Sequence, residues 1–376
     1  MGPVVAVVGG GQLARMMAAP AQALDIHLRA LVEASDGAAG QVLPDAPVGA
    51  ADDETAVRHI AAGAQVLTFE HEHVPHPILQ TLEREGIAVR PGSAALRAAQ
   101  DKLHMRRRLS QLGVPCPRWA EVTSLAELKA FGEEAGWPVV LKRPVGGYDG
   151  KGVRIVHAAE DGADWIAADG RALAEEKVDF KQELAVLLAR RPSGEVRTWA
   201  PVRTTQVDGV CSEVVSPAPG LDAAGADQAR QVATTIAEGL DVTGVLAVEM
   251  FHTTDGRLLV NELAMRPHNS GHLTIEAAVT SQFEQHLRAV LDLPLGDTGQ
   301  MVPWAVMVNV LGSTLPDPTG AYPELMDRFP QTKAHIYGKS VRPGRKLGHV
   351  TVTGQNLQEL RTIARAAADL LEGQAP

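Results

Sequence analysis

The chain opens with a continuous apolar run, VVAVV at 4–8. Three glycines at 9–11 close it, and apolar positions then recur at helical spacing from 12 to 24. A short unbroken apolar run predicts a strand buried on both faces, and a 3.6-residue period predicts an amphipathic helix. The same alternation continues as a strand at 28–32, a helix at 53–63, a strand at 66–69, a helix at 78–85 and a strand at 87–90 before Pro91 and Gly92. Strands alternating with helices predict a parallel sheet with helices on both faces over about the first 95 residues.

From 93 to 112 the pattern is helical, until VPCP at 114–117 ends it, because neither proline can continue a helix. The strand VVLK at 139–142, a glycine-rich loop, the strand VRIV at 153–156 and strand pairs around 184–188 and 244–263 follow, which is antiparallel α+β material. After Leu295 and Gly296 come short strands at 306–310 and 349–353 between Pro/Gly-rich turns, then a helix at 358–371. The expected organisation is an α/β domain at 1–98, a central domain at 99–295 with a lid subdomain at about 115–180, and a small β-rich domain at 296–376.

Composition narrows the function classes. Apolar residues at 45% and charged ones at 21% suit a globular protein with two or three buried cores. Lys and Arg total 35 against 45 Asp and Glu, a formal charge of -10 with no basic face, which argues against nucleic acid as a partner. The strongest basic run, Arg106, Arg107 and Arg108, falls in a helical segment and reads as a solvated face without a role. Cys116 and Cys211 lie far apart outside any CxxC spacing, so neither a disulfide framework nor a cysteine-built metal site is expected, and a reduced cytoplasm fits. The apolar start is too short to span a membrane and lacks a basic leader, so no membrane partner or export is expected.

Two early motifs leave alternatives open. Gly9, Gly11 and Ala14 fit GxGxxA after a strand, with Glu33 where a dinucleotide site places its ribose-binding acid. The same glycines can serve only to let strand and helix approach closely, and any helix N-terminus attracts a phosphate. The stretch EHEHVPH at 70–76 puts histidines and carboxylates on alternate strand positions, a pattern open to zinc.

The segment WPVVLKRPVGGYDGKGVRIV at 137–156 carries more information. It is not a Walker A loop, because no Ser or Thr follows Lys151 and a strand stands where that motif needs a helix. Lys142 ends one strand, a loop with Gly146, Gly147, Gly150 and Gly152 turns over, and a second strand returns. Such a loop can fold across a triphosphate, its backbone N–H groups donating, while the lysine supplies a point charge. Further on, GVLAVEMFH at 244–252 and RLLVNEL at 257–263 read as a hairpin around TTDG. With His252 facing Arg257, Glu249 opposes Val260, and Glu262 lies diagonally next on the same face beside Asn261. Oxygen-only ligands of this kind suit magnesium held between carboxylates and nucleotide phosphates.

Taken together, the lysine-ended strand, the GGYDGKG loop, EEKV at 175–178 and the Glu249/Asn261/Glu262 group resemble the ATP-grasp superfamily in order and spacing. More narrowly, GGQLA at 10–14, TFEHE at 68–72, RPHNSGH at 266–272, TSQFEQH at 280–286 and YGKSVRPGRK at 337–346 resemble the N5-carboxyaminoimidazole ribonucleotide synthase family over almost the whole chain. RPHNSGH and SQFEQH are the most specific of these stretches. The resemblance implies an ATP-grasp fold with an N-terminal parallel α/β domain and a small C-terminal β-rich domain, a homodimer, and a cytoplasmic ligase of purine biosynthesis. Its substrates would be ATP, bicarbonate and 5-aminoimidazole ribonucleotide, reacting through carboxyphosphate, with magnesium or manganese as the metal. Related alternatives are another ATP-grasp carboxylate–amine ligase and, from the opening glycines alone, a dinucleotide oxidoreductase.

Carried over residue by residue, the resemblance implies that Lys102, Lys142, Gly147, Tyr148, Asp149, Gly150, Lys151, Gly152, Glu175, Glu176, Lys177, Val178, Glu183, Gln206, Asn261 and Glu262 hold ATP. Glu249 and Glu262 would bind the metal. Gly11, Gln12, Leu13, Ser35, Glu72, Tyr148, His268, Asn269, Ser270, Lys339, Arg342, Arg345 and Lys346 would contact the ribonucleotide and carboxyphosphate. Asp149, Lys151, Lys339 and Arg345 would serve the chemistry, with Asp149 taking the amine proton. Three positions depart from the family pattern: Lys102 stands for arginine, Gln206 for histidine and Met265 for proline. Lysine at 102 keeps the charge but loses the planar fork.

Overall fold

The structure is a computed structural model describing residues 2–147 and 152–374. Strands β1 (Val4–Val8), β2 (His27–Leu31) and β3 (Val66–Phe69) form the parallel sheet expected at the start, in the order β2-β1-β3. Val5 pairs with both Leu28 and Val66, so β1 is central and buried on both faces, as its unbroken apolar run requires. Val5 and Val7 face Met17 and Ala21 of helix α1 (Gln12–Ala23), together with Phe283 and Leu287 from a much later helix. Ala6 and Val8 face the other way, onto Val57 and Ile60 of α2 (Glu54–Ala61) and Leu79 and Leu82 of α3 (His76–Arg84). The strand expected at 87–90 is reduced to one parallel bridge between Leu67 and Val89.

The helical stretch 93–112 is two helices, α4 (Ser93–Gln100) and α5 (Lys102–Gln111). Asp101 divides them: its carboxylate accepts from the backbone N–H groups of Leu103 and His104 at 2.9 and 3.0 Å and so starts a new helix.

Strands β4 (Trp119–Val122), β5 (Val139–Lys142), β6 (Val153–Val156) and β7 (Ala172–Glu176) make a separate antiparallel sheet in the order β4-β7-β5-β6. Lys142 pairs with Val153, the last pair of the β5–β6 hairpin on the side of the glycine-rich segment. Val122, Leu128, Leu141 and Val156 form this unit's own small core.

The large sheet contains β8 (Phe180–Arg190), β9 (Val196–Thr198), β10 (Val202–Val207), β11 (Val210–Ser216), β12 (Gly244–Thr253), β13 (Leu258–Ala264), β14 (Trp304–Leu311), β15 (Lys333–Ile336) and β16 (Lys346–Gly354). Its order is β13-β12-β8-β10-β11-β14-β16-β15, with β9 attached to β8. The pairing of Val215 with Val306 carries the sheet past residue 296, so the strands after that point extend the central sheet. The last helix, Leu357–Leu371, lays Ala364, Ala367 and Leu371 on Val306, Val308, Val350 and Val352. Among the described residues no helix is long and apolar enough to cross a membrane.

Candidate active site

Between the four-stranded sheet and the large sheet lies a cavity of about 1110 Å³, large enough for a nucleotide and a second small substrate. Lys142, at the end of β5, reaches into it almost fully buried. Its Nζ donates to Asn261 Oδ1 at 2.8 Å, lies 2.8 Å from Glu175 Oε2 and stands 3.9 Å from Glu262 Oε1. The lysine beside the glycine loop and the acids of the β12–β13 hairpin therefore line one cleft.

The hairpin register differs from the sequence expectation. His252 pairs with Leu258, not Arg257, because the turn is one residue longer, with Thr253 N–H donating to Arg257 O and Gly256 at φ +89°. A second shift falls between Glu249 and Met250, which pair with Glu262 and Val260, so that Asn261 is an extra, bulged residue. The two shifts bring Glu249 directly opposite Glu262, and the bulge aims the Asn261 side chain at Lys142. Burial raises the Glu249 carboxyl to about 7, with the carboxylates of Glu262 and Glu183 adding to the effect. A cation between the acids would relieve that repulsion. Among the described residues no group of three or more His, Cys, Asp or Glu side chains converges into a protein-only cage, so this donor set suits an ion that takes its remaining ligands from phosphate and water.

His268 stands 3.3 Å from Glu249 through Nε2, and its Nδ1 lies 2.8 Å from Ser270 Oγ. Burial, with help from Arg266 and Lys346, lowers its pKa to about 3, so the ring is neutral. Nδ1 accepts from the Ser270 backbone N–H at 3.4 Å, which leaves the ring proton on Nε2, pointing at Glu249.

Arg106, read from sequence as part of a solvated run, is instead fully buried. Its Nε bonds Glu175 Oε1 and its Nη2 donates to the Asn261 carbonyl at 2.8 Å. Burial alone would raise the Glu175 carboxyl, but Arg106 and Lys142 overcome it and hold it near about 2. Its neighbours do behave as expected for a surface run: Arg107 pairs with Glu121, and Arg108 donates to Gln111. A second cation missed as a site residue is Arg266, which lines the cavity and pairs with Glu72 at 2.9 Å; its place in RPHNSGH was the available signal.

Of the residues singled out in the sequence, the cavity wall contains Lys102, Lys142, Gly147, Glu175, Glu176, Lys177, Val178, Glu183, Gln206, Glu249, Asn261 and Glu262. Glu72, His268, Asn269 and Lys346 also line it. Lys102 Nζ donates to the Gly146 carbonyl at 3.3 Å, beside the glycine loop. Tyr148, Asp149, Gly150 and Lys151 lie outside the described residues. Among the described residues the wall does not include Gly11, Gln12, Leu13, Ser35, Gly152, Ser270, Lys339, Arg342 or Arg345. Ser270 is buried behind His268, and Ser35 and Arg342 are exposed. Arg345 donates to Ser340, and Lys339 bridges to Gln12 Oε1 at 2.5 Å, joining the C-terminal loop to the first helix.

The opening glycine turn is occupied by the protein itself. The Glu70 carboxylate accepts from Gly11 N–H and, at 3.1 Å, from Ala14 N–H, and so fills the anion position at the start of α1. A Cβ on Gly9, which has φ +108°, would lie 2.3 Å from Glu70 Cγ, and one on Gly10 would lie 2.5 Å from Val32 Cγ1. Close packing, the plainer of the two readings of this motif, is the one observed; a phosphate or dinucleotide there would have to displace Glu70. The EHEHVPH stretch does not converge on a metal either: Glu70 turns to α1, Glu72 to Arg266, and His71 stacks on His73.

Three family models match in succession: a ribonucleotide synthetase preATP-grasp domain at 3–100, an ATP-grasp domain at 107–283 and a phosphoribosylaminoimidazole carboxylase C-terminal domain at 305–362. N5-carboxyaminoimidazole ribonucleotide synthase of Mycobacterium bovis is 50% identical over 377 aligned residues, covering 98% of this chain and 88% of the relative. The Corynebacterium ammoniagenes protein of the same name is 45% identical, covering 99% and 93%. The solved structure of the Aspergillus clavatus N5-carboxyaminoimidazole synthase with ADP and 5-aminoimidazole ribonucleotide superposes with a TM-score of 0.89 at 33% identity, covering 99% of both chains.

Proposed function

The chain belongs to the N5-carboxyaminoimidazole ribonucleotide synthase family, and on that premise we propose how its own residues carry out the family's reaction. It is an ATP-dependent carbon–nitrogen ligase of purine biosynthesis that carboxylates 5-aminoimidazole ribonucleotide to N5-carboxyaminoimidazole ribonucleotide. Bicarbonate is the proposed carbon source. Being a poor electrophile, it needs activation, and the γ-phosphate of ATP supplies this by forming carboxyphosphate, whose carbon the exocyclic amine attacks with release of phosphate.

The observation that carries this reading is the position of Lys142 Nζ, 2.8 Å from Asn261 and 3.9 Å from Glu262 in one nucleotide-sized cavity. Glu249 and Glu262 fit magnesium or manganese, which when bound would neutralise charge on the transferring phosphoryl group. Lys142 adds a fixed positive charge at the same place. Lys102, the 175–178 strand end, Glu183 and Gln206 form the walls that would hold the rest of ATP. His268, Asn269, Arg266 and Lys346 line the same cavity, His268 beside Glu249, and would surround bicarbonate and then carboxyphosphate. Neutral His268 would act there as a hydrogen-bond donor through Nε2. Lys339, Arg342 and Arg345 would take the ribonucleotide phosphate, the first oriented by Gln12. Asp149, on the glycine loop, is the proposed acceptor of the amine proton. The working form is proposed to be a cytoplasmic homodimer.

The test is ADP release by the purified protein with and without 5-aminoimidazole ribonucleotide, at low and high bicarbonate. Release that rises with both substrates, together with formation of the N-carboxylated product, is expected. ATP turnover that follows a different amine and ignores this ribonucleotide would contradict the reading.

A further inference from the structure

Four residues form a closed ring of polar contacts beneath the nucleotide cavity. Arg106 Nη2 donates to the Asn261 carbonyl, Asn261 Oδ1 accepts from Lys142, Lys142 pairs with Glu175, and Glu175 pairs back to Arg106. Three of the four side chains are almost wholly withdrawn from solvent, and Arg106 is completely so. The ring joins three separate parts of the fold. Arg106 comes from α5, Lys142 and Glu175 from the four-stranded sheet, and Asn261 from the bulge in β13, next to Glu262.

We infer that Arg106 is a positioning residue for the ligase reaction: it sets the distance between the phosphate-facing lysine and the carboxylate pair without touching either substrate. The inference rests on the functional reading above and adds to it a residue with no direct contact in that reading. The ammonium of Lys142 is fixed from two sides, by Glu175 and by Asn261, and Arg106 holds both of those partners. Its two arms go to different elements, one to a carboxylate of the four-stranded sheet and one to a backbone carbonyl of the large sheet. Arginine can do this because its planar fork presents several N–H donors at fixed angles. A lysine at 106 would keep a positive charge near Glu175 but could not hold both partners in the same geometry. The bulged carbonyl of Asn261 would lose its donor, and with it the restraint on Glu262.

A role in positioning predicts a selective defect. In Arg106→Lys, KM for ATP and the half-saturating magnesium concentration should rise together, by about tenfold or more, as for loss of an outer partner of a metal site. KM for 5-aminoimidazole ribonucleotide should stay within about twofold, because its proposed contacts at Lys339, Arg342 and Arg345 lie outside the ring. An Arg106→Lys protein that folds and shows unchanged ATP and magnesium dependence would overturn the inference, as would an equal rise in all three constants, which is the mark of general loosening. If Arg106→Lys fails to fold, Arg106→Gln, which changes no residue of the ATP wall and leaves Glu175 paired with Lys142, takes its place with the same expectation and the same overturning results. Wild-type protein assayed in parallel separates the two claims: without ribonucleotide-dependent ADP release the functional reading itself fails, whereas intact wild-type turnover with an unselective variant removes only Arg106.

Discussion

Glu249 and Glu262 stand directly opposite each other across the β12–β13 pair. Two carboxylates in such a position repel each other, and the energetic penalty appears as the raised pKa of Glu249, driven first by burial and then by Glu262 and Glu183. The divalent cation proposed for this site would relieve that penalty.

The first prediction concerns pH. With its carboxyl raised to about 7, Glu249 must lose a proton before a metal can bind below that pH. The half-saturating magnesium concentration should therefore rise by roughly tenfold per pH unit on going down from about 7, and level off above it. Titrating activity with magnesium at about pH 6 and about pH 8 checks this. The metal-free fold should show the matching trend. A proton held more tightly in the folded state stabilises it below the pKa of an exposed glutamate, and that contribution disappears as pH rises through about 7. Added magnesium should restore the melting temperature at the higher pH more than at the lower.

The second concerns Lys142. Lys142→Met removes the buried charge facing the phosphates, and kcat/KM for ATP should fall by about 10²–10³. The variant also leaves Glu175 with Arg106 as its remaining cationic partner, so some loss of stability should accompany the loss of rate. Steady-state kinetics with a melting curve on the same sample would resolve both effects.

The third concerns the opening turn. Gly10→Ala would place a Cβ 2.5 Å from Val32 Cγ1 and 2.8 Å from Val32 Cα, a contact with β2's continuation that cannot be relieved by a rotamer change alone. A loss of about 1–3 kcal/mol in urea unfolding is expected. Glu70→Ala should cost about 1 kcal/mol by leaving two helix N-terminal N–H groups without their acceptor. Neither change should create or abolish NAD binding, which equilibrium dialysis can check.

How much of this was legible beforehand depends on how local each feature is. The first strand, its glycine turn and the following helix rest on contacts between near neighbours in sequence, and the apolar pattern is enough to place them. The two strands that flank the GGYDGKG stretch, and the lysine that ends the first, were equally readable, since the signature lies within 20 residues. The hairpin register was not. It turns on one extra turn residue and one bulge, and a bulge at Asn261 reflects what lies across from it, namely Lys142 and Arg106, over 100 residues earlier in the chain. Arg106 itself was misread because its neighbours Arg107 and Arg108 do lie outward. The helical phase held the missing hint: Leu103, Arg106 and Leu109 are three apart and all buried, so Arg106 falls on the inner face of α5. Glu70, read only within EHEHVPH and TFEHE, was not placed at the glycine turn for a similar reason, since its partners Gly11 and Ala14 sit on another element altogether.

The most direct test of the account is a crystal structure of the protein with magnesium and a non-hydrolysable ATP analogue. The account predicts a metal ion ligated by Glu249 and Glu262, bridging phosphate oxygens that also contact Lys142. A triphosphate bound elsewhere, with Lys142 still turned toward Glu175 and Asn261 and no metal between the two acids, would contradict it.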